Sequence, residues 1–337
     1  MSLPEIINYF AIVLSVVVFY IFKFYNSKIA SYFDLIDKPK KNKIHKNPTP
    51  VTASLPIFVI FIVCNINYLI YGDINKEIIF ICLSGIFGFI LGLLDDKINL
   101  DYKIKFFAFI IFIILIIQNS DNLVLSKLYF ETFDKTFFLN DFESLILTLL
   151  CLLLLINATN LSDGINGLCL GISIIWLTYI TFKFNSYLNL FPIIIVSCFC
   201  FLHNLRGFFF LGNSGSHLFG IFTGMLIIFL YNNNLNINHS LKNISVEEIF
   251  IVLMLPGIDM LRLFVIRIYN QKNPFSSDLL HLHHFLIKRF SLIPSLIIYL
   301  SSIILPIVMY NLEFLNAYLL ILVFITYYLF LLKFLKK

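Results

Sequence analysis

Residues 78–96, IIFICLSGIFGFILGLLDD, decide the fold class of this chain. The 17 residues 78–94 carry no charged side chain, and two adjacent aspartates, Asp95 and Asp96, follow them directly. An α-helix needs about 20 mostly apolar residues to cross the hydrocarbon core of a bilayer. The stretch therefore predicts a transmembrane helix that ends at a polar membrane face.

The composition extends this interpretation to all 337 residues. Charged residues make up 13% of the chain and hydrophobic residues 60%, whereas a soluble globular domain has roughly 25% and 45–50%. The net charge of +5 is spread too thinly for nucleic-acid binding. These proportions exclude a soluble enzyme, a disordered protein and a nucleic-acid binder, and they predict an all-α integral membrane protein.

Apolar runs recur along the chain and predict about eleven transmembrane helices. They lie near residues 4–24, 51–71, 77–94, 104–118, 142–157, 167–184, 187–203, 216–231, 247–267, 292–311 and 313–333. Without an internal repeat or a soluble segment between linkers, residues 1–337 are predicted to form a single polytopic domain. Residues 119–141 alternate apolar and polar side chains, which favours a small hairpin at the membrane surface.

Basic residues predict the orientation of these helices. With the N-terminus outside, only five of the 24 Lys and Arg residues face outward: Lys76, Lys127, Lys135, Lys183 and Lys242. The other 19 lie in cytoplasmic loops and at cytoplasmic helix ends. Because cytoplasmic loops of membrane proteins carry an excess of Lys and Arg, we expect an external N-terminus and a cytoplasmic C-terminus.

Five polar clusters then fall on the cytoplasmic side, at residues 37–50, 95–105, 157–168, 203–216 and 276–284. They contain carboxylates, amides and histidines as well as lysines. Ionisable groups near membrane depth usually face a cavity or one another. We therefore expect one shared site on this face, although cytoplasmic loops that are simply polar would give the same pattern.

Asp95 and Asp96 point about 100° apart on a helix, so they cannot easily bind one ion symmetrically. A divalent cation on one carboxylate, with the other placed for proton transfer or phosphate positioning, fits the preference of hard cations for oxygen. The alternative is a solvated helix end whose charge is neutralised by Lys97.

Two further segments have features of phosphate sites. Asn157, Asn160 and Asp163 are spaced by three and would line one side of a helix, followed by glycines that allow close approach of a ligand. Residues 212–216, GNSGS, open the eighth predicted span. Free N–H groups at the start of a helix form an anion site.

His281, His283 and His284, which follow Asp278, are candidates for a metal site or for contacts to phosphate and sugar. A helix would put His281 and His284 on one face and turn His283 away. Because the sequence shows no fourth ligand of the kind that zinc requires, phosphate or sugar contact is favoured.

Together these segments resemble one family, the polyprenyl-phosphate N-acetylhexosamine-1-phosphate transferases, which include the MraY- and WecA-like membrane enzymes. Five segments carry the resemblance in order: DKPKKNKIHKNPTP (37–50), GLLDDKINLDYKIK (92–105), NATNLSDGINGL (157–168), NLRGFFFLGNSGS (204–216) and DLLHLHH (278–284). The HLHH form is closer to the WecA-like branch.

The resemblance implies transfer of a sugar-1-phosphate from a UDP-N-acetylhexosamine to a polyprenyl phosphate such as undecaprenyl phosphate, with release of UMP. It implies Mg²⁺, or Mn²⁺ in its place, and a multi-pass protein of the bacterial cytoplasmic membrane. The product would initiate a lipid-linked cell-envelope glycan, in cell-wall or lipopolysaccharide biosynthesis. No nucleic-acid partner is expected, and a homodimer is left open.

The resemblance also assigns roles to residues. Those that match its catalytic positions are Asp95, Asp96, Asp163, His281, His283 and His284. Those that match substrate-binding positions are His45, Lys105, Asn157, Asn160, Asn166, Asn204, Phe210, Gly212 and Asn213, with Phe210 expected to stack on uracil. The implied metal ligands are Asp95, Asp96, Asp163 and Asn213.

The chain departs from the family pattern at three places. Asn213 and Asn166 stand where the family has aspartates, and Ala53-Ser54 replaces a Gly-Gly pair. An amide oxygen can bind Mg²⁺ but adds no charge, so weaker metal binding is expected. The alternatives are a pseudo-enzyme of the same fold and a transporter or flippase for a phosphorylated metabolite, which would favour polar residues at mid-membrane and broken helices.

The orientation predicts which residues a membrane-impermeant thiol reagent reaches in a cysteine-free background. Cysteines that replace Lys43, Asp163 or His283 should be protected in intact cells, and a cysteine that replaces Lys127 should react. Reaction at position 163 without reaction at position 127 would contradict the predicted orientation.

Overall fold

A computed structural model describes residues 3–39, 47–71, 75–184, 190–236, 244–272 and 279–336. His45, Lys43 and Asp278 lie outside these ranges. The helices are α1 (Leu3–Phe24), α2 (Asn26–Phe33), α3 (Ser54–Tyr71), α4 (Lys76–Ile98), α5 (Tyr102–Ile117), α6 (Asp141–Ser162), α7 (Leu168–Phe184), α8 (Phe191–Leu205), α9 (Gly212–Asn236), α10 (Val246–Tyr269), α11 (Leu282–Arg289), α12 (Leu292–Asn311) and α13 (Ala317–Leu335).

Six of these helices are long and apolar enough to cross a membrane: α4, α6, α9, α10, α12 and α13. The apolar part of α1 together with α2 would make a seventh span, bent by 69°. α3, α7 and α8 are shorter apolar helices. The all-α membrane class is therefore confirmed, while the number of eleven spans and the orientation of the termini stay predictions.

Polar side chains at the start of several helices explain where those helices begin. Asn75, Ser245 and Asn316 each accept a hydrogen bond from a backbone N–H in the first turn of α4, α10 and α13. Asn140 and Glu143 form a capping box at the start of α6. Such caps satisfy N–H groups that have no partner within the helix.

Three predicted boundaries were wrong, and each error bears on the polar clusters. α4 continues to Ile98, so the aspartate pair lies inside the helix. α6 continues to Ser162 and carries the first two asparagines of the 157–168 segment. α9 begins at Gly212, four residues before the predicted start. Polar residues extend these helices because their backbone hydrogen bonds continue past the apolar run.

The hairpin predicted within residues 119–141 is confirmed. Strands β3 (Lys127–Phe130) and β4 (Lys135–Phe138) pair antiparallel, after a short pair formed by β1 (Ile36–Asp37) and β2 (Thr49–Pro50). The Tyr231 hydroxyl on α9 accepts from the Tyr129 N–H at 2.8 Å and donates to the Lys127 carbonyl at 3.2 Å. A single buried phenol thus holds the backbone of β3.

The chain divides into two compact units. Met1–Lys105 and Asn166–Met225 form the first unit, in which α1, α3 and α8 pack together and α7 packs on α8. Phe106–Ile165 and Leu226–Lys337 form the second unit, in which α10 packs against α6, α12 and α13. Chain order therefore mixes the units, and α9 contributes to both.

Gly92 lets α4 approach the start of α9 within the first unit. A Cβ atom at this position would overlap the backbone of Asn213 and Ser214. Small residues allow helix backbones to approach closely, which supports helix association in membranes. Because Gly92 lies one turn before Asp96, this contact brings the aspartate pair to the first turn of α9.

Candidate functional site

In the first unit, Asp95 forms an ion pair with Lys105. Its Oδ2 atom lies 2.7 Å from Lys105 Nζ, and the carboxylate is buried. The sequence left open whether Lys97 neutralises this helix end, but the partner in the structure is Lys105 from α5. Among the described residues, the Oδ1 atom of Asp95 accepts no hydrogen bond, so it is the oxygen available to a ligand.

Asp96 binds the first turn of α9. Its carboxylate accepts from the Asn213 N–H at 2.8 Å, from the Ser214 N–H at 3.0 Å and from the Ser214 hydroxyl at 2.8 Å. Gly212, with φ of +78°, precedes this turn. At the helix start predicted as a phosphate site, two N–H groups thus already bind the Asp96 carboxylate. The partial positive charge of a helix N-terminus favours such an anion.

Asn204 joins two predicted segments within the first unit. Its side-chain oxygen accepts from the Gly167 N–H, and its Nδ2 donates to the Phe209 carbonyl at 2.7 Å. Gly167 has φ of +85°, a conformation that favours glycine. Because the amide of Asn204 is bonded at both ends, its contribution in the structure is to hold these loops, and its predicted contact to substrate stays a prediction.

Phe210 follows in the same loop, where its backbone bonds to β2 and to the segment that follows it. Its N–H donates to the Pro50 carbonyl at 2.8 Å, and its carbonyl accepts from the Ala53 N–H at 3.1 Å. The side chains of Phe210 and Asn166 are half-buried. Backbone pairing fixes the position of Phe210, while its predicted stacking on uracil stays a prediction.

The part of the 157–168 segment that lies in the second unit, residues 157–165, starts on α6 and leaves it at Asp163. Asn157 donates its Nδ2 back to the Leu153 carbonyl at 2.8 Å. Asp163 ends the helix, with its N–H bonded to the Asn160 carbonyl at 3.1 Å. Both Asn160 and Asp163 are half-buried. The predicted spacing therefore runs along one helix as far as its last turn.

Gly164 connects this segment to the histidines. A Cβ atom at Gly164 would lie 2.6 Å from Nε2 of His283 and 3.4 Å from the ring of His284. A separation of 2.6 Å is far below a van der Waals contact, so only glycine fits beside the imidazole. Two motifs that are distant in the sequence are thus packed directly against each other.

The three histidines form one cluster, and the prediction that His283 turns away from the others was wrong. The rings of His281 and His283 are stacked at 5.4 Å, and those of His283 and His284 are 4.2 Å apart. His281 has an extended backbone, with φ −68° and ψ 151°, because it caps α11 instead of lying within it. Helical spacing therefore does not apply to the first histidine.

Burial lowers the pKa of His283 well below its ordinary value, and the neighbouring His284 and His281 lower it further. The negative charge of Asp259 raises the pKa of His283, but this contribution is the smallest of the four. His283 is therefore neutral at neutral pH. A neutral imidazole can offer one donor and one acceptor to a substrate, but no positive charge.

Asp259, on α10, is the partner of the histidine cluster that sequence reasoning missed. This buried carboxylate accepts from His281 Nδ1 at 2.9 Å and from the Tyr328 hydroxyl at 2.7 Å, and it pairs with Arg262 at 3.0 Å. The available signal was a carboxylate inside an apolar span, where ionisable residues are usually functional and paired.

The donors near the aspartate pair suit a hard cation. Carboxylate and amide oxygens are the ligands that Mg²⁺ prefers, and the buried Asp95 keeps one oxygen available next to Asp96 and Asn213. Within the described ranges, no group of three or more His, Cys, Asp or Glu residues is arranged to hold a metal ion by itself.

A model of glycosyl transferase family 4 matches residues 78–231 of this chain. A Bacillus subtilis protein named probable undecaprenyl-phosphate N-acetylglucosaminyl 1-phosphate transferase is 28% identical over 268 residues, which cover 76% of this chain and 71% of the relative. The undecaprenyl-phosphate alpha-N-acetylglucosaminyl 1-phosphate transferase of Yersinia pestis is 26% identical over 283 residues, 79% of this chain and 73% of the relative.

A decaprenyl-phosphate N-acetylglucosaminephosphotransferase of Mycolicibacterium smegmatis is 26% identical over 287 residues, covering 77% of this chain and 70% of the relative. The matched region includes the aspartate pair, the 157–168 segment and the start of α9. The resemblance predicted from the five ordered motifs is therefore confirmed.

The contact between Gly164 and His283 predicts that Gly164→Ala disturbs the histidine cluster. A displacement of about 1 Å at a reacting site typically costs on the order of 10²-fold in rate, so turnover should fall by about that factor. Gly257→Ala on α10 is the matched control, because a Cβ atom there meets nothing within 4 Å. Equal activities of the two variants would show that the contact has no catalytic importance.

Proposed function

We propose that this chain, a relative of the polyprenyl-phosphate N-acetylhexosamine-1-phosphate transferases, transfers an N-acetylhexosamine-1-phosphate from a UDP-sugar to a polyprenyl phosphate. The observation that carries the proposal is the match to transferases of this kind over 70% or more of both chains, together with the five motifs in order. The reaction takes place at the cytoplasmic face of a bacterial membrane, where a lipid-held phosphate meets a soluble nucleotide.

In this reaction, an oxygen of the polyprenyl phosphate attacks the β-phosphorus of the UDP-sugar. The bond from that phosphorus to the oxygen bridging it to the α-phosphate breaks, and UMP leaves with that oxygen. The product is a polyprenyl-diphosphate sugar. Phosphoryl transfer of this kind depends mainly on positioning and on stabilisation of negative charge.

The first unit would supply the groups that act on phosphate. Lys105 is a cation beside Asp95 and can bind phosphate oxygens while Asp95 orients it. Asp96 holds the start of α9 and with it the amide of Asn213. Asp95, Asp96 and Asn213 of this unit would hold Mg²⁺ or Mn²⁺. Asp163 lies in the second unit and keeps the metal-ligand role that the family resemblance implies. A bound divalent ion neutralises the pyrophosphate and the leaving UMP.

The second unit would supply neutral and polar contacts to the sugar and pyrophosphate. His283 is neutral, so its ring can hydrogen-bond to hydroxyl or phosphate oxygens without strong electrostatic attraction. Asn157, Asn160, His281 and His284 complete the proposed set. In the first unit, Asn166, Asn204, Phe210 and Gly212 are proposed on the nucleotide side, together with His45, which lies outside the described residues.

The experiment that tests the proposal is UMP release by membranes that contain the protein. Undecaprenyl phosphate and a panel of UDP-N-acetylhexosamines are added, and UMP and the lipid-linked sugar are quantified. The two products should form in equal amounts. Formation of neither product with any UDP-sugar would contradict the proposal. Binding of a UDP-sugar without turnover would indicate a pseudo-enzyme, and uptake of a phosphorylated metabolite into proteoliposomes would indicate a transporter.

The proposed role of Asp96 predicts that Asp96→Asn abolishes nearly all turnover. Removing a preorganised charge from such a site typically costs on the order of 10²–10³-fold. Ser214→Ala is the matched control, because it removes one hydrogen bond to the same carboxylate but keeps the charge. If Asp96→Asn and Ser214→Ala are equally abundant in membranes and their turnover differs by only a few-fold, the role of Asp96 is limited to capping α9.

The neutral amide at position 213 predicts weak binding of Mg²⁺. The substitution Asn213→Asp should strengthen this binding. A carboxylate adds charge attraction in a partly buried pocket, so half-saturation should occur at a lower Mg²⁺ concentration. Maximal turnover need not rise, because tighter binding in the ground state does not lower the barrier. Activity is measured against Mg²⁺ concentration.

Asn311→Asp, at an exposed position on α12, controls for a change in net charge. A half-saturating Mg²⁺ concentration that is unchanged or higher in Asn213→Asp would place the ion away from position 213. The amide would then be assigned a contact to the nucleotide.

A further inference from the structure

Asp259 carries a set of contacts to which the proposed reaction assigns no role. It is buried on α10, and it accepts hydrogen bonds from three groups of the second unit: His281 Nδ1 at 2.9 Å, the Leu282 N–H at 3.1 Å and the Tyr328 hydroxyl at 2.7 Å. Arg262 supplies the compensating positive charge at 3.0 Å. A buried carboxylate with this many partners holds its surroundings in one geometry.

The bond to Asp259 determines where His281 carries its hydrogen. An ionised carboxylate only accepts hydrogen bonds, so Nδ1 of His281 must be the donor. In the neutral imidazole this leaves the lone pair on Nε2. The Nε2 atom is buried and, among the described residues, has no hydrogen-bond partner. Buried polar atoms are rarely left in this state without a functional reason.

We propose that Asp259 is a positioning residue for the transfer reaction. It keeps His281 in the form with hydrogen on Nδ1 and leaves Nε2 for the substrate. This inference rests on the proposed function, because it assigns the substrate contact to His281. Asp259 is buried and its carboxylate accepts hydrogen bonds from His281, Leu282 and Tyr328, so we assign it an action through the histidine.

The same carboxylate sets the start of α11. The Leu282 N–H is the first of the helix and points to Asp259, while the Leu280 carbonyl accepts from Arg262 Nη2 at 2.6 Å. The Asp259–Arg262 pair therefore holds residues 280–282 through both a donor and an acceptor. His283 and His284 follow in the first turn, so their positions depend on the same pair.

A buried ion pair can also be retained for packing alone, and the two roles predict different kinetics. If Asp259 acts through His281, the loss of His281 removes most of the effect of losing Asp259. If Asp259 only stabilises the packing of α10, α11 and α13, the two losses are independent and multiply. A double-mutant cycle measures this difference.

The cycle compares Asp259→Asn, His281→Gln and the double variant in the UMP-release assay. Asp259→Asn should lower kcat roughly 10–100-fold, the range typical when the carboxylate partner of a metal-binding histidine is removed. The double variant should have a kcat within about threefold of His281→Gln, since the free-energy effects of substitutions at residues in direct contact do not add. Multiplication of the two losses would overturn the proposal.

Tyr328→Phe is the matched control at the same carboxylate. It removes one hydrogen bond to Asp259 and the acceptor of the Arg262 Nε–H at 2.7 Å, but it leaves the charge of Asp259 and the bond to His281. Its kcat should stay within a few-fold of the wild type at equal abundance in membranes. A loss as large as that of Asp259→Asn would show that any damage to this cluster is equivalent, which contradicts a specific role of the bond to His281.

A spectroscopic measurement on the wild-type protein does not depend on the folding of the variants. In protein labelled with ¹⁵N-histidine, the signals of His281 are identified by their loss in His281→Gln. Nδ1 should carry hydrogen, and an unprotonated Nδ1 would overturn the proposal. Absence of UMP release by the wild type would instead contradict the proposed function, because the ¹⁵N signals report the bond between Asp259 and His281 independently of turnover.

Discussion

The bond between Asp96 and the first turn of α9 is the contact on which the first unit depends. A carboxylate near the end of one apolar helix satisfies two N–H groups and a hydroxyl at the start of another. Helix N–H groups without partners are costly in an apolar environment, and no water replaces them in the hydrocarbon core. Gly92 permits this contact because a larger residue would force α4 away from Asn213 and Ser214.

The two adjacent aspartates bind different partners because their side chains point in different directions on α4. Asp95 binds Lys105, whereas Asp96 binds α9. One acidic residue is thus balanced by a lysine side chain, which can also bind phosphate, and the other by a helix dipole. In the second unit, the carboxylate of Asp259 serves the histidines in a related way, with Arg262 as its fixed cation. Each of these three carboxylates is compensated by a hydrogen-bond donor or a cation.

Much of the fold could be predicted from local patterns. Uninterrupted apolar runs indicated the helices, and the alternation in residues 119–141 indicated the hairpin of β3 and β4. Helix ends were predicted less well. Polar residues such as Asp95 and Asp96 continue a helix in the structure, because Lys105 and the first turn of α9 satisfy them. Hydropathy does not contain that information.

The sequence by itself determined the all-α membrane class, the positions of the apolar helices and the family resemblance, because each depends on residues that are neighbours in the chain or on motifs in a fixed order. Only the tertiary structure decided the partners of the polar residues. Asp96 and Asn213 are 117 positions apart, and His281 and Asp259 are 22 apart. Such pairs leave no periodic signal, since a hydrogen bond requires only that two groups meet in space with the right geometry. His283 shows the consequence: helical spacing predicted that it turns away, and the extended backbone of His281 brings the three rings together.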